Sequence, residues 1–167
     1  MVKKKKKKEK EKTPLNQSKE EEIKINKKMS TKAYILVYEG TPLDYTEYRH
    51  TALHFVFAQG SSRTMHVVGT QGLFEFEEGV DQDPREGGEL VRMIPVVDIP
   101  RSVTGPAIKK AVSATPVKNG RADLEWNCQN WVGDALSQMV ECGFLTAAQR
   151  AAAIDSMVDV CLEAKDD

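Results

Sequence analysis

The sequence predicts an α+β fold, an antiparallel sheet of about five strands packed against C-terminal helices. Two observations carry that expectation. Between residues 33 and 99 the apolar residues fall in short β-branched and aromatic runs, separated by Gly and Pro. After Pro100 the apolar spacing becomes helical. Strands followed by helices, rather than alternating with them, argue against a doubly wound parallel sheet.

Taken in order, Ala33-Tyr-Ile-Leu-Val-Tyr-Glu39 reads as a strand ended by Gly40 and Pro42. His50 to Ala58 is a second strand, stopped at Gln59-Gly60-Ser61-Ser62, and Thr64 to Gly69 a third. Leu73-Phe-Glu-Phe-Glu77 alternates as a fourth. The acidic stretch from Asp81 to Gly88 has the makings of a loop. It lacks the later Glu of a calcium loop, and Pro84 interrupts it. Leu90 to Ile99 is a fifth strand, which Pro95 assigns to an edge or a bulge. Pro106 to Ala114 is a short helix with Thr104 as N-cap. Cys128 to Glu141 carries apolar residues at 128, 131, 132, 135, 136, 139 and 140, one helical stripe. Asn127 is its expected N-cap and Gly143 its stop. Thr146-Ala-Ala-Gln149 is a capping box that opens a last helix to about Leu162.

The formal charge of −1 over 167 residues hides a division. Residues 1–32 hold 13 Lys and 5 Glu, a net of +8, and residues 33–167 hold 11 basic and 20 acidic residues, a net of −9. The first segment is too poor in apolar residues to offset its ordering entropy and is expected to be a disordered tail. Its run Lys3 to Lys8 suits a nuclear address or contact with a polyanion, and equally a solvated extension. Residues 33–167 are expected to form a single domain with no nucleic-acid partner. Charge rather than an apolar stretch follows Lys8, so no secretory signal is expected. No run approaches the ~18–20 apolar residues that cross a bilayer, and no integral membrane association is expected. Three cysteines in such a chain are expected to be reduced thiols, and the location cytoplasmic, or nuclear through the tail.

Chemistry centres on Asn127-Cys128-Gln129-Asn130-Trp131-Val132, which places a thiol in the first turn of a helix. Free backbone N–H groups and the positive helix end favour the thiolate there and can hold an oxyanion. The same cysteine also continues the apolar stripe, so a packing role competes. All three histidines lie on the second and third strands. Period-two alternation puts His50 and His54 on one face and does not choose between them. With His66 they supply the base and the orienting group that thiol acyl chemistry needs. Cys142 and Cys161 are expected to be packing thiols. No CxxC or HxxxH pair supports zinc, and no GxGxxG, P-loop or GxSxG is present, so neither metal nor cofactor is expected.

His50-Thr-Ala-Leu, then Met65-His66-Val-Val, then Asn127-Cys128-Gln-Asn-Trp-Val resembles the circularly permuted, NlpC-type branch of papain-like proteins. Within it the pattern is similar to lecithin:retinol acyltransferase-like proteins and, second, to PPPDE-type thiol peptidases. The stretches also resemble those of fungal proteins without an assigned activity. The permuted order is shared: His50 precedes Cys128 by 78 residues. The resemblance implies a permuted papain-like fold, with Cys128 as nucleophile, His50 as general base and His66 as orienting partner. His54 has no counterpart. The acyltransferase-like pattern follows Asn-Cys with Glu-His-Phe, where this chain has Gln129-Asn130-Trp131. Many such relatives end in a membrane anchor, whereas this chain ends Ala-Lys-Asp-Asp. The implied activity is therefore a cysteine-dependent hydrolase or acyltransferase acting on a small acyl or peptide substrate rather than a bilayer lipid. The rival expectation is a non-catalytic interaction module of the same fold, with Trp126 and Trp131 lining a groove. A toxin-like effector acting on protein-linked or tRNA-linked acyl groups is not separated from the first.

Overall fold

The computed structural model describes residues 30–165. Most of the tail expected over 1–32 lies outside the described residues. Its last two residues belong to the first strand, so that strand starts ahead of the expected domain boundary.

Five strands form one antiparallel sheet: β1 (Thr31–Tyr38), β2 (His50–Val56), β3 (Ser62–Val68), β4 (Glu75–Val80) and β5 (Leu90–Ile99). Their order is β4-β3-β2-β1-β5. Three helices follow: α1 (Gly105–Ser113), α2 (Cys128–Glu141) and α3 (Ala147–Leu162). The α+β class and the helices at the C-terminal end are as expected. Each helix starts where its cap predicts, since Thr104, Asn127 and Thr146 all accept from first-turn N–H groups. Gly143, at φ +73°, closes α2 in the left-handed region where Gly carries no Cβ clash.

Three local features differ from expectation, each through a specific hydrogen bond. The turn after β2 closes from Phe57 N–H to the Ser61 carbonyl, so Ser62 and Arg63 pair with Val56 and Phe55 instead of forming loop. The fourth strand starts at Glu75 rather than Leu73, because the Asn119 side chain takes both backbone groups of Phe74. Within the loop around Asp81–Gly88, Asp83 caps a 3-10 turn over Pro84–Gly87. β5 is an edge, and its register with β1 slips opposite Val97 and Pro95.

Leu53, Phe55, Met65 and Val67 share the main core with Trp131, Val132, Leu136 and Met139 of α2, which packs on β2 and β3. α3 lies on β5 and β1. The opposite face carries a smaller cluster, Leu36, Tyr38 and Ala52. By alternation, His50 and His54 project on that second face and Thr51 toward the helices.

One departure from regularity positions the site. β2 pairs with β1 along its whole length, from His50 opposite Tyr38 to Val56 opposite Lys32. With β3 it pairs only from Leu53–Met65 to Val56–Ser62. β3 continues with β4 as far as Val68. The sheet therefore parts between β2 and β3 at the end that holds His50 and His66. The start of α2 fills part of the opening: the Arg49 carbonyl accepts from the Gln129 side-chain amide, 3.1 Å, and from the Cys128 thiol, 3.8 Å.

Candidate functional site

A cleft of about 1060 Å³ opens at this parting. Cys128, His50 and His66 all line it, each delivered by a different element. Helix periodicity and the Asn127 cap bring Cys128 to the first position of α2. Strand alternation brings the two histidines to the opposite sheet face.

His50 Nε2 and His66 Nδ1 are 2.8 Å apart, so one imidazole donates and the other accepts. The His50 ring also stacks on Tyr38, centroids 5.9 Å apart. The Tyr38 hydroxyl donates to the Pro84 carbonyl at 2.8 Å, which ties the 3-10 turn to the ring beneath it. Burial lowers the His50 pKa to about 4, and the neighbouring His66 adds to the effect. Burial also lowers that of His66, with Glu77 opposing it. Both imidazoles are neutral at pH 7, and the pair can take up a proton.

Cys128 is 8 % exposed and belongs to the main core. Burial raises its thiol pKa, against backbone N–H groups of Thr51, Gln129 and Cys128 itself that favour the thiolate. The Thr51 hydroxyl lies beside the same sulfur, yet it is fully buried and makes no hydrogen bond of ordinary geometry. No hydrogen bond joins the sulfur to either imidazole among the described residues; its partner is the Arg49 carbonyl. The structure thus brings the two histidines into contact and gathers all three residues on one cleft, with the thiol turned toward β2.

The oxyanion donors are fewer than the helix start suggests. Asn127 Oδ1 accepts from the N–H groups of Gln129, 2.9 Å, and Asn130, 3.3 Å. Asn130 in return accepts from the Asn127 N–H, completing the capping box. Of the first three N–H groups of α2, only that of Cys128 is not taken by the cap. The Gln129 amide is spent on the Thr46 and Arg49 carbonyls.

Arg49 was not singled out by sequence, and it anchors this corner. Its buried guanidinium holds both Asp44 carboxylate oxygens, 2.8 and 2.6 Å, and donates to the Val160 carbonyl near the end of α3. The bond to Arg49 brings the Asp44 pKa down to about 2. An Arg within six residues of an Asp is too common a pattern to have marked the pair.

The remaining candidates separate cleanly. His54 is 3 % exposed and bonds Thr64 Oγ1 through Nδ1 at 2.8 Å, away from the thiol. Cys161 is buried, as expected of a packing thiol. Cys142 is exposed, against expectation, because the apolar stripe of α2 ends at Val140 and the cap turns outward. Trp126 lines the cleft, whereas Trp131 is fully buried in the core and lines nothing. Among the described residues no three His, Cys, Asp or Glu side chains are grouped to hold a metal ion. No described helix is long and apolar enough to cross a membrane.

No curated protein and no solved structure matches the chain. A family of unknown function, DUF6540, matches residues 33–146, from the first strand through the capping residue of α3, and so covers the sheet, the histidine pair and Cys128. The chain belongs to that family.

Proposed function

We propose that the cleft carries out cysteine-dependent hydrolysis or transfer of an amide, ester or peptide acyl group. The observation that carries this reading is the convergence on one cleft of a helix-start thiol and a hydrogen-bonded pair of neutral imidazoles. The permuted order of His50 and Cys128 and the resemblance to permuted papain-like proteins support it.

Thiol and imidazoles are neutral at rest, which favours general-base attack over a standing thiolate–imidazolium pair. The thiol turns from the Arg49 carbonyl toward the histidines. As Sγ bonds to the acyl carbon, its proton passes to His50, and His66 steadies the imidazolium through their shared hydrogen bond. The carbonyl oxygen becomes an oxyanion facing the Cys128 N–H. Collapse breaks the bond to the leaving amine or alcohol, which takes the proton from His50. Water or a second acceptor then attacks the thioester carbon and its proton passes to His50; the C–S bond breaks, and Sγ takes that proton back, restoring the thiol as the acyl product leaves.

The near-complete burial of the thiol and its bond to Arg49 favour the second reading, a binding module that keeps the fold without the chemistry. One experiment separates them. An acyl-phosphate or vinyl-sulfone probe is expected to label wild type at Cys128, with labelling abolished in Cys128→Ala and His50→Ala while circular dichroism stays native. A folded wild type left unlabelled at Cys128 would falsify the enzymatic reading.

A further inference from the structure

Resting on the reading above and extending it to substrate class, we propose that the cleft selects polypeptides that carry Lys or Arg beside apolar residues. Five carboxylates line it: Glu39, Glu47, Asp83, Glu86 and Glu125, and no Lys or Arg does. They come from four separate segments of chain. Asp83 has a basic partner, Arg85, at 3.8 Å, and none of the four glutamates forms an ion pair among the described residues.

Several acids outside the cleft are held in ion pairs. Glu78 holds Arg63 and Lys109, Asp134 holds Lys118, and Glu163 holds Arg92, all away from the cleft. Four glutamates without a basic partner among the described residues thus border the candidate chemistry, with no lysine or arginine among them. Glu125 stands three residues before Cys128, and Glu39 follows the Tyr38 that stacks on His50.

The distribution of this charge narrows the ligand. The carboxylates are not grouped as a metal ion requires, so they suit positive charge spread along a chain rather than one compact cation. The cleft also offers the exposed ring of Tyr48, on which alkyl stems and cationic heads of Lys and Arg pack. Leu73 and Leu124, 74 % and 58 % exposed, adjoin lining residues at the rim. All five carboxylates are exposed, so their field acts through solvent and is screened by salt.

The test uses the full chain carrying Cys128→Ala and fluorescein-labelled, end-capped octapeptides of alternating Lys-Leu or Gln-Leu, read by anisotropy. At about 20 mM salt the Lys-Leu peptide is expected to bind about ten-fold tighter, a preference that screening removes at about 300 mM. The combined substitutions Glu39→Gln, Glu86→Gln and Glu125→Gln are expected to remove most of it. Equal affinities at low salt, or a preference that survives the triple substitution, overturn the proposal. Probe labelling of wild type, measured in parallel, keeps the two readings apart. A Lys-Leu preference without labelling removes the nucleophile and leaves the selectivity, and labelling without preference does the reverse.

Discussion

At Cys128 opposing influences act on one sulfur. Withdrawal from water favours the thiol, and the adjoining N–H groups favour the thiolate; burial is the larger. Thr51 belongs to the same balance. Its hydroxyl is fully buried without a hydrogen bond, an arrangement that costs about 1–3 kcal/mol and that folds rarely retain without use. Thr51→Val, nearly isosteric, is therefore expected to stabilise the fold by about 1 kcal/mol in urea melts. The same change is expected to move the pH midpoint of Cys128 alkylation upward, with Thr51→Ser restoring it. An alkylation profile identical in all three proteins removes Thr51 from the site.

The elements around the cleft are held by few, specific devices. α2 presents Cys128 because Asn127 ends the extended chain and takes two N–H groups, a cap of about 1 kcal/mol. The cleft wall after β3 depends on Gly69, at φ +111°, where an added Cβ would lie 2.4 Å from the Leu73 carbonyl oxygen. Gly72 in the same loop also has positive φ, but a Cβ there meets nothing within 4 Å. Gly69→Ala should destabilise by about 2 kcal/mol or more, against about 1 kcal/mol for Gly72→Ala. Denaturant melts measure the difference. Hydrogen exchange in residues 69–74 should rise more in the first variant, and equal effects would show that the close approach to Leu73 is not what shapes the loop.

For the whole molecule, the three histidines couple stability to pH. Burial lowers all three pKa values, His50 to about 4, against about 6.5 in the unfolded chain. Between those values the unfolded chain binds more protons than the folded one, so stability rises with pH. The His50 contribution is complete above about pH 6.5 and is lost as pH falls toward 4, a span of about 3 kcal/mol. Carboxylates titrate in the lower part of that window, so wild type is compared with His50→Gln. The variant is expected to lose less stability between pH 7 and 4.5 in urea melts, and parallel losses would show that His50 does not resist protonation in the fold.

The α+β class, the three helices with their caps and the cores of five strands were legible in the sequence, since each rests on short-range periodicity and on side chains that bond their own backbone neighbours. Tertiary structure decided the rest. Asn119, 45 residues away, set the start of β4, and the outward turn of the α2 cap exposed Cys142. Alternation placed His50 and His54 on one face, but only the assembled sheet gave His54 to its register partner Thr64 and His50, beyond the paired stretch, to His66. The resemblance singled out Cys128, His50 and His66, and spacing could not show that β2 and β3 part beside them, that the thiol turns to Arg49, or that carboxylates from four segments meet around the opening. Those features arise from contacts between residues far apart in the chain, which local sequence pattern does not encode.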